Sequence, residues 1–209
     1  MVDNEARRKA NRQTRGLQRV EMILDAAASV FVEVGYADAT MQMVAHRAKL
    51  SPGSLYQFFP NKGAVAEALA TRYAGQLRAF YDQVLVSNLI DMPLSVIIDS
   101  LVDPLVEFNR EHPAFYTLFI GAQVSPELAA ILSNFHEAVV DNLATIFGRS
   151  ITTLSQADSQ RAALIMHRIF IALIPLILQS DAPEDALIHS DMKSMFVSYL
   201  SALKVTNAS

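Results

Sequence analysis

The sequence predicts an all-α fold, a three-helix head joined to a larger helical domain, and three observations carry that prediction. Apolar residues recur at intervals of three and four along the long segments, which is the spacing of one helical face. Each segment has its own start and stop signals, with Ser, Thr, Asn or Pro at the openings and Gly or Pro near the ends. Of 209 residues, 52% are apolar and only 18% charged, so the chain has enough apolar surface for a sizeable core and falls outside the disordered class.

Composition also excludes several functions. There is no cysteine, hence no disulfide framework and no thiolate chemistry. The amino terminus is charged and polar rather than basic and then apolar, unlike a secretory signal. The longest unbroken apolar run, residues 169–178, is ten residues and contains Pro175, well short of the roughly 20 that span a bilayer. A soluble, cytoplasmic protein with no membrane partner is expected. None of the seven glycines stands in a nucleotide-binding loop, and the five histidines show neither a metal-binding spacing nor a partner nucleophile elbow. No catalytic residue, metal or cofactor is therefore expected.

Charge is unevenly spread. Residues 1–62 hold nine Lys or Arg against six Asp or Glu, and the remainder eight against fifteen, within a net charge of −4. A basic head on an acidic body suits one face that meets a polyphosphate while the bulk stays away from it.

In chain order, residues 1–16 carry Arg7, Arg8, Lys9, Arg12 and Arg15 among small polar residues without a hydrophobic period. They read as a flexible basic arm that neutralises phosphates or enters a minor groove, or else as a solvated terminus. Residues 17–34 form an amphipathic helix through Val20, Ile23, Leu24, Ala27, Phe31 and Val34, with Gly35 past its end. Thr40 caps a short helix with Met43, Val44 and Ala48 on one side. Ser51-Pro52 opens another after about three residues. Helices joined by so short a turn cross steeply, the helix-turn-helix arrangement that lays its second helix in a DNA major groove.

Within that second helix, Leu55 and Phe59 should point inward, leaving Ser51, Gly53, Ser54, Tyr56 and Gln57 outward near its start. A hydroxyl or phenol can reach a phosphate, glutamine can address adenine with two hydrogen bonds, and Gly53 lets backbone come close. Lys62, in the first turn of the next helix, opposes the helix dipole unless an anion such as a phosphate is drawn to the same amides.

The run Ile23-Leu24-Asp25-Ala26-Ala27, Phe31, Gly35-Tyr36, Thr40, Val44-Ala45, Ala48, Ser51, Gly53-Ser54-Leu55-Tyr56, Phe58-Phe59-Pro60-Asn61-Lys62 and Ala68-Leu69 resembles the amino-terminal domain of the TetR-type transcriptional repressors. The resemblance implies DNA contacts by Thr40, Met41, Gln42, Gly53, Ser54, Tyr56, Gln57, Phe58 and Lys62, the tyrosine and lysine on the backbone. One departure is visible: Lys49 stands where the family usually has a turn glycine, which strains lysine if the turn needs a positive φ; the alternative is a slightly different corner, with the amine freed for a phosphate. Beyond about residue 75 the resemblance rests on length and helix pattern.

The helix opened at Lys62 continues to about Ser87, through Val65, Leu69, Tyr73, Leu77, Phe80, Tyr81, Val84 and Leu85. Five more follow. They are residues 93–110 with Pro104 inside, a short aromatic helix after His112-Pro113 ending at Gly121, one opened by Ser125-Pro126-Glu127 and closed by Gly148, residues 159–179, and residues 186–203. The last two are so apolar that one subunit has little left to cover them, and they are expected to pair with their copies as a four-helix bundle in a homodimer.

The expected organisation is a basic flexible arm at 1–16, a helix-turn-helix DNA-binding domain at 17–62, and a helical effector-binding and dimerisation domain at 63–209. Phe80, His112, Phe115, Tyr116, Phe119, His136, Met166, His167 and Phe170, with Gln123, are candidates to line a site for an apolar or aromatic effector. Each taken singly is more often a core residue, and only together do they make an effector site plausible. The resemblance implies a ligand-released repressor bound as a homodimer to a pseudo-palindromic double-stranded operator. The alternatives are a small-molecule sensor or carrier without DNA binding, and an all-helical enzyme, which the missing acid and base pair disfavours.

Overall fold

The computed structural model describes residues 2–86, 91–124 and 126–206, with the side chains of 14–85, 91–118, 126, 129–130 and 132–206 among them. Those residues form nine α-helices and no strand: α1 (Val2–Asp38), α2 (Met41–Arg47), α3 (Pro52–Tyr56), α4 (Lys62–Val86), α5 (Leu94–Glu111), α6 (Pro113–Val124), α7 (Pro126–Ser150), α8 (Gln156–Gln179) and α9 (Glu184–Thr206). They group into two compact units, Met1–Ala74 with Pro113–Leu132, and Gly75–His112 with Ser133–Ser209.

In the first unit α1 buries Ile23, Leu24, Ala27 and Phe31 of the expected stripe, together with Val30, while Val20 and Val34 at its ends are half-buried. The larger of these side chains, Ile, Leu, Val and Phe, each contribute roughly 1.5–3 kcal/mol. The stretch ends at Gly35, whose φ of 76° and ψ of 163° lie where an L side chain is strained. Where the sequence suggests a flexible basic arm, the backbone of residues 2–16 continues α1 as helix. Residues 5–10 and 12–15 are dominated by Glu, Ala, Arg, Lys and Gln, strong helix formers; the absence of an apolar period says that such a helix has no face to bury, not that it cannot form. α6 packs on α1, with Phe115 edge-on to Tyr73 at 5.4 Å between centroids. Through that packing the compact unit reaches beyond the three helices of the head.

Two arginines tie α1 to later helices through three ion pairs. Arg72 on α4 donates to Asp25 at 2.7 Å and Glu21 at 3.1 Å. Arg47 on α2 donates to Glu33 at 2.6 Å, and this hydrogen bond holds the exposed Glu33 carboxyl below its ordinary range.

The second unit is built from the second half of α4, α5, most of α7, α8 and α9. Ile97, Ile98, Leu101, Val106, Ile146, Phe147, Ile174, Met192, Phe196 and Leu200 are core. Gly148 does not close its helix, as expected, but lies inside α7: a Cβ there would stand 3.2 Å from Ser159 Oγ on α8, so the glycine serves close helix approach. α8 begins three residues earlier than expected, because Ser155 caps it by accepting from Asp158 N at 3.1 Å. α9 is laced to α5 by Arg110 to Asp185 at 3.1 Å and by Lys193 to Asp99 and Asp103, both at 2.9 Å. Such half-exposed pairs contribute at most about 1 kcal/mol each and serve register more than stability.

Among the described residues one helix, α8, is long and apolar enough by length and composition to cross a membrane, with only 33% of that stretch buried. Leu164, Ile165 and Leu176 on α8, and Leu187, Met195 and Val205 on α9, are exposed. So the apolar surplus expected of the last two helices is present, and it faces outward from the single chain.

Candidate nucleic-acid interface

The geometry starts at two capping hydroxyls. Thr40 Oγ1 accepts from Met43 N at 3.2 Å and opens α2. Ser51 Oγ accepts from Ser54 N at 3.2 Å and opens α3, with Pro52 in its first turn. Each cap satisfies an amide that the helix itself leaves unpaired. Between them the chain turns in a few residues: Lys49 N donates to His46 O at 3.1 Å and Leu50 N to Ala45 O at 2.9 Å. That pair of hydrogen bonds to the last carbonyls of α2 requires a left-handed residue at the corner, and Lys49 takes it with φ 55°. Among the described residues it is the single non-glycine with positive φ, at a cost of roughly 1–2 kcal/mol.

Leu55 is fully buried and Phe59 nearly so, as the sequence predicts. They lock α3 to the rest of the unit and thereby turn Ser51, Gly53, Tyr56 and Gln57 to solvent. Tyr56 is 51% exposed, high for an aromatic ring beside a core. A Cβ on Gly53 would meet nothing within 4 Å, so internal packing does not require glycine there. Ser54 is half-buried and its hydroxyl lies 2.9 Å from that of Ser51. Thr40 and Gln42 are exposed, and Phe58 is half-buried.

Two of the expected contact residues have roles inside the protein. Met41 is buried, 8% exposed, because the inward stripe of α2 is Met41, Val44, Ala45 and Ala48, the i, i+3, i+4, i+7 set. Its side chain is withdrawn from any partner, while Met43 is half-exposed. That spacing was available in the sequence and identifies the face better than Met43 does. Lys62 is the second. Its ammonium donates to the carbonyls of Tyr36 at 2.7 Å and Ala37 at 2.8 Å and lies 4.7 Å from the centre of the Tyr36 ring. The lysine completes the end of α1, where carbonyls lack helical partners. Its position at the start of α4 is explained by that bond, not by attraction to a phosphate, and one of its three protons remains. Asn61 caps α4 instead, accepting from Ala64 N at 2.8 Å.

The candidate effector residues are divided. Phe115, buried, and Tyr116, half-buried, belong to the first unit, and the side chains of Phe119 and Gln123 lie outside the described residues. Phe80, His112, His136, Met166, His167 and Phe170 belong to the second. There Phe80 lies 5.3 Å from Tyr81, and His112 is edge-on to Phe108 at 4.5 Å. Met166 is buried and Phe170 half-buried. The structure brings His136 on α7 and His167 on α8 into contact, Nδ1 to Nε2 at 2.9 Å. Burial, then the charge of Arg168, pushes His136 down to about 4; burial, His136 and Arg168 push His167 down to about 3. Both rings are neutral near pH 7, so one donates and the other accepts. They are 31 positions apart, and no sequence spacing signals such a pair.

Known proteins bear on both parts of the chain. Residues 23–69 match the family described as bacterial regulatory proteins, tetR family, and residues 93–200 the tetracyclin repressor-like C-terminal domain. The chain is 24% identical over 168 residues to the uncharacterized HTH-type transcriptional regulator YhgD of Bacillus subtilis, spanning 76% of this chain and 83% of that protein. Its fold is similar to that of Salmonella enterica GusR, with a TM-score of 0.68 at 22% identity over 90% of this chain and 95% of the other. A TetR-family transcriptional regulator from Streptomyces coelicolor gives 0.64 at 23% identity over 88% and 98%.

Proposed function

The chain belongs to the tetR family of bacterial regulatory proteins and is a helix-turn-helix transcriptional regulator, and from that premise we propose that it is a ligand-released repressor acting as a homodimer on a pseudo-palindromic operator. One observation carries the reading: burial of Leu55 and Phe59 leaves Ser51, Gly53, Tyr56 and Gln57 together on the open face of α3. Gln57 is the base reader, able to give and accept one hydrogen bond each with adenine. Tyr56, Ser51, Ser54, Thr40 and Gln42 fix the register on phosphates, and Gly53 admits the backbone to the groove edge. Lys62 adds a phosphate contact through its one remaining proton.

Two copies set their recognition helices about 34–36 Å apart, one turn of duplex. The exposed apolar residues of α8 and α9 support pairing of these helices across a two-fold axis, which would cover what one chain leaves bare. This is also the reason to read α8 as a subunit face in a cytoplasmic protein rather than as a membrane span. An apolar or aromatic effector favours a helix arrangement in which the two heads no longer match successive grooves. Coupling of this kind is typically about 1–3 kcal/mol and reciprocal, so operator DNA weakens the effector by the same factor. The reading is of a regulator and not a catalyst.

The test is selection of bound fragments from random duplex DNA at low and moderate salt. A two-fold symmetric consensus with half-sites one helical turn apart is the expected outcome. Failure to retain any duplex even in dilute buffer would leave the sensor or carrier reading in its place.

A further inference from the structure

We propose that Lys49 is a phosphate-binding residue of the DNA-reading head, placed at the helix-turn-helix corner at the expense of backbone strain. The inference rests on the DNA-binding reading and extends it to a residue outside the contact set that the family resemblance implies.

Three observations converge on this side chain. Within residues 36–62 there are three permanently cationic side chains, Arg47, Lys49 and Lys62. Arg47 is bound to Glu33 at 2.6 Å, and Lys62 is engaged with the carbonyls of Tyr36 and Ala37. Lys49 is exposed, and its ammonium has no hydrogen bond or ion pair among the described residues. Of these three cations it is thus the one whose charged end is engaged by no other group among the described residues. Position adds to this: Lys49 stands two residues before Ser51, which caps α3, and its four-carbon stem extends the reach of the ammonium beyond the turn. Its backbone supplies the third observation. The corner is left-handed, φ 55°, a conformation that glycine adopts without strain, so local folding gives no reason for a lysine. Strain held at one residue points to a role outside the free protein.

The experiment compares full-length wild type with Lys49→Gly and Lys49→Asn on one duplex selected by the wild type, across 50–200 mM salt, with thermal unfolding alongside. Lys49→Gly relieves the strain, partly offset by the looser unfolded chain, and raises Tm by about 2–4 °C. It nevertheless weakens DNA binding about eightfold per subunit at 0.1 M salt and reduces the slope of log K against log salt by about 0.9 per subunit, whatever the duplex sequence. Lys49→Asn, neutral but tolerant of the left-handed region, gives the same loss of slope. Lys49→Arg restores the slope. A purely structural lysine would move stability and affinity together, whereas this role moves them in opposite directions. An unchanged affinity and slope in both neutral variants, with wild type binding normally, overturns the inference. Wild type that binds no duplex overturns the DNA-binding reading beneath it.

Discussion

The contact between His136 and His167 makes the second unit sensitive to acid. Folded-state values of about 4 and about 3 lie below the ordinary 6.5, so the unfolded chain takes up protons first as the pH falls. Stability from neutral burial is therefore complete above about pH 6.5 and is lost progressively between that value and the folded values. At pH 5 the buried His167 alone forfeits about 2 kcal/mol by this linkage. His136 is partly exposed, and solvent screening reduces its share to about 1 kcal/mol. Together they remove about 3 kcal/mol between pH 7.5 and pH 5. Guanidinium unfolding at those two pH values, at one fixed protomer concentration, measures it against His136→Gln/His167→Gln, whose amides do not titrate. Wild type should lose about 3 kcal/mol more than the variant over the interval, and His136→Gln alone should remove part of that difference. Equal losses in wild type and double variant would show that the rings are charged or solvated in the folded state, and the reasoning from burial would fail.

Other outcomes follow from the head and from the exposed helices. Lys62→Met removes two charge-assisted bonds that finish α1 and should cost about 2 kcal/mol, seen by calorimetry as a fall in Tm of about 4–8 °C; an unaltered Tm would deny the capping role. Gln57→Ala should cost about 1–3 kcal/mol at particular base pairs and little elsewhere, read from a repeat of the fragment selection, and an unchanged consensus would remove Gln57 from the readers. Leu176→Glu combined with Met195→Glu charges the open faces of α8 and α9 and should shift sedimentation at micromolar concentration from twice the chain mass to one. A wild type already at the mass of one chain would end the dimer proposal.

The punctuation of the head was legible because each signal acts over a few residues, whereas the closures expected at Gly121 and Gly148 are not there: α6 runs to Val124 and α7 to Ser150. Thr40, Ser51 and Asn61 cap the helices they precede and Gly35 breaks α1, while the left-handed turn at Lys49, conditional in the sequence, is decided by the fold. A cap needs only its own hydroxyl or amide and the amides of one turn, so its evidence is contained in three or four letters. The stripe on α2 was equally legible, and choosing Met43 over Met41 was an error of register, not of information. The basic segment at 2–16 shows the limit of pattern reading, since helix propensity and an apolar face are separate properties and only the second leaves a period.

What the amino-acid order determined by itself is the helical class, the punctuation of the helix-turn-helix and the apolar surplus of the last two helices, all consequences of spacing along one chain. Only the tertiary structure decided where the cations go: Arg47 to Glu33, Lys62 to the end of α1, Arg72 to Glu21 and Asp25, with Lys49 left open. It likewise decided that two histidines far apart in the chain share a hydrogen bond. Charges and hydrogen bonds act at a few ångströms through space, and which groups come that close depends on how helices pack, a property that no spacing within a single segment encodes.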